Sequence, residues 1–427
     1  MNILIIGNGG REHALAWKVS QSPLAKKVYV APGNAGTSLE ENLTNINIPV
    51  TDVNGLLYFA KNNNINLTIV GPETPLILGI VDIFRDACLT IFGPNQNAAQ
   101  LEGSKIFTKD FLTRHHIPTG TYQYFTDVKQ ALIYLDKIGA PVVIKADGLA
   151  SGKGVIVAMI LEEAKNAVQY MIDGNAFGKS SRNIVIEEFL EGEEVSFIVM
   201  VDGENVIPIA TSQDHKRVGN NDTGENTGGM GAYSPAPVIT DIIHKRIMDK
   251  IIYPTVQGMA IEGRRYQGFL YAGLIIDKEG NPKVIEFNCR SGDPETQPIM
   301  MRLKSDIVEF FLSCANGKLV DKTLNWDERS ALSVVIASKG YPKNYRIGDI
   351  IHGITNEPIE MCKIFHAGTK LKDNLIITNG GRVLCVTALG KTILDAKKKA
   401  YEQVAKIFWI GSFYRTDIGY RAITRLK

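Results

Sequence analysis

The sequence predicts an α/β protein of three domains, an expectation that rests on three observations. Over the first hundred residues, short apolar runs alternate with helix-like stretches and glycine- or proline-bearing turns. A second region mixes strands and helices around a glycine-rich stretch, and a third, from about Leu324, joins apolar strands to a lysine-rich helix. A chain of 427 residues also exceeds one ordinary core. The divisions expected are an N-terminal parallel-sheet domain over 1–101, a central domain over 102–323 and a small α+β domain over 324–427.

In the first domain the strand candidates are Ile3–Ile6, Lys27–Val30, Leu67–Val70 and Thr90–Phe92, each followed by a turn at Gly7, Pro32-Gly33, Gly71-Pro72 or Gly93-Pro94. Strand, turn and helix in repetition predict a parallel sheet covered by helices, with ligands beyond the strands' carboxyl ends. In the central domain, helices are predicted over Ser104–His115 and Asp127–Ile138, then strand 141–146, a helix near Glu162–Asp173, and strand 183–189. A hairpin follows through Asp202-Gly203, then a glycine-dense polar loop from Gln213 to Gly231, long enough to be functional. A helix near Ile239–Glu262 and strands "FLYAGLIID" and "PKVIEFN" end that domain. The third holds strands "SALSVVIAS" and "GGRVLCVTALG", and a helix around 392–408 whose lysines 397–399 form a solvated face.

A formal charge of +2, without a basic stripe, argues against nucleic acid or a membrane surface as partner. No apolar stretch approaches the roughly 20 residues of a membrane span, and the first strand is interrupted too soon for a signal peptide. Five cysteines without a CxxC pair fit a reducing compartment, hence a cytoplasmic protein, and exclude a zinc knot. His115 and His116 are adjacent, and neighbours on a helix point in different directions.

Four constellations could carry chemistry. In "IIGNGGREHALAWK", Gly7 and Gly9 fit a dinucleotide fingerprint, but Glu12 stands where its third glycine belongs. The second strand, in "VYVAPGN", carries no ribose-binding acid at its tip. A glycine turn opening a helix remains, which is an anion site; Arg11 could add a phosphate contact, and a tight turn with two solvated charges fits the same residues. Lys145 ends a buried strand, where an ammonium group needs an anion. The loop after it, "DGLASGKGV", offers Gly148, Ser151, Gly152, Lys153 and Gly154 to phosphates, or makes a glycine-rich surface hairpin. It is not a Walker loop, since Gly154 follows the lysine. "VIEEFLEGEEVS" places acids where an adenine amine and ribose hydroxyls could be held, or makes an acidic turn. In "PKVIEFNCRSGDPE", Glu286 and Asn288 share one face of a strand, with Ile285 and Phe287 turned to the core. A carboxylate and an amide oxygen so spaced suit Mg²⁺ bound with substrate phosphates, with Arg290 beside them for a phosphoryl oxygen; solvated strand-end polar groups are the alternative.

Together these segments resemble the phosphoribosylamine–glycine ligase family of ATP-grasp enzymes. The resemblance also runs through "APGNAGT", "VGPETPL", "LEGSKIFTKDF", "SQDHKR", "NTGGMGAYSPAP" and "FYRTDIGYRA", covering essentially the whole chain in one order. It departs at Ser291, Glu225 and Ser151, which stand where the family usually has an aromatic residue, proline and alanine. The resemblance implies a pre-ATP-grasp domain, an ATP-grasp domain with a mobile lid over about 122–190, and a monofunctional enzyme, monomeric or weakly dimeric. It implies ATP-dependent ligation of glycine to 5-phosphoribosylamine, with Mg²⁺ or Mn²⁺, through glycyl phosphate. By the same resemblance Lys105 and Lys145 would contact ATP phosphates under the 148–154 loop. Glu187, with the backbone at Phe189 and Leu190, would hold adenine, and Glu194 the ribose. Glu286 and Asn288 would hold the metal, Arg290 the transferring phosphoryl group, and Asp214 a substrate amine. Gly9, Gly10, Asn34, Gly36, Thr37 and Glu73 would cradle phosphoribosylamine. This chemistry needs no protein nucleophile, in keeping with the lack of a Ser–His or Cys–His arrangement.

Overall fold

The architecture is that of a computed structural model, which describes residues 1–148, 154–172, 183–355 and 359–426. Among the described residues, four sheets of four or five strands organise it, with two further two-stranded ribbons. The N-terminal sheet is wholly parallel, in the order Leu43–Asn45, Lys27–Pro32, Asn2–Gly7, Ile65–Val70, Ile91–Phe92. Its first strand shows why it sits centrally. Leu4 and Ile6 enter one core cluster and Ile3 and Ile5 the other, so both faces are covered. Leu43–Asn45 was not predicted from the sequence, because three residues carry too little periodicity to register.

The glycines around the opening turn have a packing role. The Glu12 side chain folds back under the turn, and Gly9 N–H donates to its Oε2 at 2.7 Å. A Cβ on Gly7 would stand 2.1 Å from Glu12 Cγ, and one on Gly71 2.2 Å from its Oε1. Gly7, at φ +138°, also holds a backbone conformation that side chains disfavour. The fingerprint's missing third glycine is thus a buried carboxylate, and the glycines are its socket.

The middle of the chain makes two antiparallel sheets. Tyr122–Phe125, Ile184–Glu188, Val142–Ala146 and Val155–Ala158 form the smaller, covered by helices Val128–Ile138 and Leu161–Ile172 around a core of their own. Val206–Pro208, Glu193–Asp202, Gln267–Ile276 and Pro282–Asn288 form the larger. Helix starts fall at side-chain caps, Ser104 accepting from Phe107 N–H and Asp127 from Gln130 N–H. The expected helix over 239–262 is interrupted by a π-turn at Met248–Ile252.

The C-terminal sheet, Gln213–Asp214, Gly231–Ser234, Ser330–Ala337, Arg382–Gly390 and Cys362–His366, takes its first two strands from the middle of the chain. The predicted polar loop is therefore not a free loop. Its tip pairs Arg217–Gly219 with Thr223–Asn226, and Asp222 there accepts from Arg415, Tyr420 and Arg421. Glu225 pairs with Lys343 at 2.7 Å. A second seam joins the N- and C-terminal units. His366 N–H donates to His13 Nδ1 at 2.9 Å. The His13 proton then sits on Nε2, 3.2 Å from Glu40, which also pairs with Lys363.

Two outcomes follow. Gly71→Ala should destabilise the chain by about 1–3 kcal/mol through overpacking against Glu12, read as a lower urea midpoint at unchanged m-value. The second concerns acid. Burial, then His13, lowers the His366 pKa to about 3, and burial lowers His13 against the pull of Glu40. Unfolded imidazoles bind protons near pH 6.5, so the unfolded state takes up protons first and stability falls as pH drops from about 6.5 toward 3. His366→Asn should flatten that slope in thermal melts; an unchanged slope would count against neutral burial.

Candidate active site

A cleft of about 360 Å³ lies where the two central sheets face each other, with Arg11 and Glu73 of the N-terminal unit and Arg382 of the C-terminal one among its lining residues. The sheet registers set its walls. Lys145 comes from Val142–Ala146 and Glu187 from the adjacent strand. Helix Lys105–Arg114 presents Lys105 and Lys109, one turn apart, to the same space. Lys105 Nζ donates to Gly148 O at 2.8 Å, while its backbone N–H donates to Asp147 Oδ1 at 2.8 Å, so a carboxylate caps that helix.

Lys145 and Lys109 both place Nζ 2.9 Å from Glu187 Oε2, and Lys145 also donates to Ile285 O at 3.0 Å. Glu187 is buried, and its Oε1 has no hydrogen-bond partner among the described residues. Burial lowers the pKa of both Lys105 and Lys109. The Lys145 ammonium adds to each effect, while Glu286 opposes it at Lys105 and Glu187 at Lys109. Crowded ammonium groups of this kind are stabilised by a polyanion among them.

Across the cleft, Glu286 and Asn288 line the wall from strand Pro282–Asn288. The register slips between Gly273 and Leu274, so Ile285 is bulged. That corrects one expectation: Phe287 enters the core cluster, but Ile285 does not, and its carbonyl receives Lys145 at the cleft. Burial would raise the Glu286 carboxyl, but Lys216, Lys145, Lys105 and Arg290 outweigh it and hold the pKa low. Among the described residues no group of three or more His, Cys, Asp or Glu could hold a metal. One anionic carboxylate beside an amide oxygen therefore fits a hard cation that keeps other oxygen ligands, such as phosphates.

Arg290 bridges Glu73, at 3.2 Å from Nε, and Glu102, at 3.1 Å from Nη2. Asp214 is buried; burial, aided by Glu295 and Glu194 and opposed by Lys216, lifts its carboxyl well above the usual range. Lys216, two residues on, pairs with Glu194 and lies 3.8 Å from Glu286. Glu295 accepts from Ser196 at 2.8 Å and Tyr271 at 2.9 Å. Arg382 donates to Asp293 O at 2.7 Å and approaches Asp293 Oδ2 at 3.1 Å. Cys289 offers no nucleophile, since burial and Glu102 raise its thiol well above the ordinary range.

Of the residues singled out in the sequence, Lys105, Lys145, Gly148, Gly154, Glu187, Asp214, Glu286, Asn288, Arg290 and Glu73 line this cleft. Ser151, Gly152 and Lys153 lie outside the described residues. Phe189 and Leu190 line a separate recess of about 290 Å³, and Glu194 is held by Lys216 at the cleft's margin. Gly9, Gly10, Asn34, Gly36 and Thr37 are not among the lining residues. Gly9 N–H is taken by Glu12, and a Cβ on Gly10 would meet Gln297. Asn34 and Thr37 bond each other at a helix start, with Asn34 Nδ2 donating to Asn8 O and His366 O. Gly36 faces His13 and His366 in another cavity. In these five positions the side chains and the Gly9 N–H meet other parts of the protein. Ser291 donates no side chain here; its carbonyl accepts from Arg11 and Arg290.

Sequence reading had not assigned Lys109, Lys216, Glu102, Glu295 or Arg382. One signal was available: Lys109 is four residues from Lys105 on one helix, whereas Lys216 lies between strands Gln213–Asp214 and Arg217–Gly219, where no periodicity marks it.

The chain matches the phosphoribosylglycinamide synthetase N domain over residues 1–102, the ATP-grasp (A) domain over 103–296 and the C domain over 331–421. It is 66% identical to the phosphoribosylamine–glycine ligase of Yersinia pestis, over all of both chains. It is 66% identical to that of Escherichia coli strain K12, over 100% of this chain and 99% of that one. The crystal structure of the Thermotoga maritima phosphoribosylamine–glycine ligase is 33% identical, with a TM-score of 0.86 over 98% of this chain and 100% of that one. The biotin carboxylase domain of Hydrogenobacter thermophilus 2-oxoglutarate carboxylase, solved with MgADP and bicarbonate, shares the fold at 17% identity and a TM-score of 0.74, over 96% and 91%. With three domain matches in order and full-length relatives at two-thirds identity, the chain belongs to the phosphoribosylglycinamide synthetase family of ATP-grasp enzymes.

Proposed function

We propose that the cleft joins glycine to 5-phosphoribosylamine at the expense of ATP, giving glycinamide ribonucleotide, ADP and phosphate. The observation that carries this reading is the convergence of Lys105, Lys145 and Arg290 with Glu286 and Asn288 on one buried space. Lys105 and Lys145 hold the polyphosphate. Glu187 Oε1 accepts from the adenine amine, with the backbone at Phe189 and Leu190 closing on the base and Glu194 on the ribose. The sheet over 122–188 and its helices act as the lid that excludes water. Glu286 and Asn288 hold Mg²⁺ or Mn²⁺, which neutralises polyphosphate charge when bound.

The reaction then needs positioning rather than a protein nucleophile. Glycine's carboxylate attacks the γ-phosphorus, and Arg290 neutralises the transferring oxygens. The amine of phosphoribosylamine displaces phosphate from glycyl phosphate, with Asp214 orienting an amine. The end of the cleft lined by Arg11, Glu73 and Arg382 takes the sugar phosphate on its guanidinium groups, with the Gly9–Gly10 and Asn34–Thr37 turns behind it. We expect the chain to act as a monomer or weak dimer. Among the described residues no helix is long and apolar enough to cross a membrane.

ADP release should require both glycine and phosphoribosylamine. ADP formation that ignores glycine and responds to bicarbonate would refute the reading. Lys145→Ala should cost about 3 kcal/mol in kcat/KM, as loss of a preorganised charge partner does, and an unchanged kcat/KM would remove its role. Glu286→Ala should raise the Mg²⁺ concentration needed for half-maximal rate; near-normal turnover at limiting Mg²⁺ would displace the metal site.

A further inference from the structure

Glu187 is held asymmetrically. Both lysines, Lys145 and Lys109, sit at 2.9 Å from the same oxygen, Oε2. The other oxygen, Oε1, is buried without a partner among the described residues. Lys145 alone would neutralise the carboxylate, so the second lysine requires its own account. Lys109 arrives from a different element, helix Lys105–Arg114, and is itself anchored by donating to Thr119 Oγ1 at 2.8 Å. Thr119 in turn donates to Val284 O, on the far wall's strand. The two lysines thus approach Oε2 from a strand and from a helix and leave the carboxylate little freedom to exchange its oxygens.

We propose that Lys109 is a positioning residue that determines base specificity: with Lys145 it captures Oε2 and presents Oε1 to the cleft as a bare acceptor. A bare acceptor in a buried wall admits a base edge that donates and rejects one that accepts, because the mismatched pair leaves two buried lone pairs facing each other. The selected class is an aminopurine nucleotide over an oxopurine nucleotide. This rests on the reading of the cleft as an ATP site, with Glu187 at the base.

The same geometry makes a second, sharper claim. Two ammonium donors can be satisfied only by an oxygen, so in Glu187→Gln they should capture the amide oxygen and turn the NH₂ group into the cleft. The wall would then donate, and the preference should invert.

The test is equilibrium binding of ADP and IDP, which differ at position 6 of the base, to the full chain by titration calorimetry, independent of turnover. The unsubstituted chain should bind ADP more tightly than IDP. Lys109→Met should weaken ADP about tenfold, the worth of one charge-assisted hydrogen bond, and leave IDP within about twofold. Lys109→Arg should restore the ADP preference. Glu187→Gln should favour IDP, and adding Lys109→Met to it should erase that preference. A merely structural lysine would lower the melting temperature and weaken both nucleotides alike, which would overturn the proposal. So would a Glu187→Gln chain that still prefers ADP. If the unsubstituted chain binds neither nucleotide, the ATP reading itself fails, a result distinct from an unchanged ratio.

Discussion

The structure depends on one electrostatic constraint: several cations are held in a largely buried space with too little freedom to separate. Lys105, Lys109, Lys145 and Arg290 face one cleft, where Glu187, Glu73 and Glu102 are already engaged. Burial penalises every ammonium group, and each penalises its neighbours. Such an array is retained where an anion arrives to complete it, and a nucleotide polyphosphate has the required charge and length. The same constraint explains why Glu286 stays anionic without a preformed metal cage, since four cations hold it low.

Each structural unit supplies one part of that array. The parallel sheet brings Arg11 and Glu73 out at the carboxyl ends of its strands, where this topology places ligands. The two antiparallel sheets bring lysines and acids face to face. The C-terminal sheet contributes Arg382 and also carries the strand bearing Asp214, two residues before Lys216. Asp222, gripped by Arg415, Tyr420 and Arg421, ties that segment down. The C-terminal unit therefore shapes the catalytic wall rather than merely covering it.

Much of this was legible in the sequence. Strand Asn2–Gly7 and its neighbours announce a parallel sheet through apolar runs and glycine turns. The i, i+2 spacing of Glu286 and Asn288 put both on the cleft wall. What escaped had physical causes. The Ile285 bulge is a register slip, set by the partner strand and invisible in alternation alone. The Gln213–Gly231 stretch looks like a loop because its own strands are only two to four residues long, and the strand that ties them to the C-terminal sheet, Gly231–Ser234, pairs with residues a hundred positions away, such as Ser333 and Leu332. Gly7 and Gly9 look like part of a ligand cradle in the sequence because a turn that houses Glu12 needs the same absence of side chains as one that houses a phosphate. Lys109 and Lys216 were passed over because a lysine on a helix or in a connecting segment looks the same whether it meets solvent or a carboxylate.

The central claim is that this cationic cleft activates a carboxylate by phosphorylating it. The most direct measurement follows oxygen. With glycine carrying ¹⁸O in both carboxylate positions, the released phosphate should contain one ¹⁸O per turnover, the other remaining in the product amide. Release of unlabelled phosphate during product formation would contradict the account.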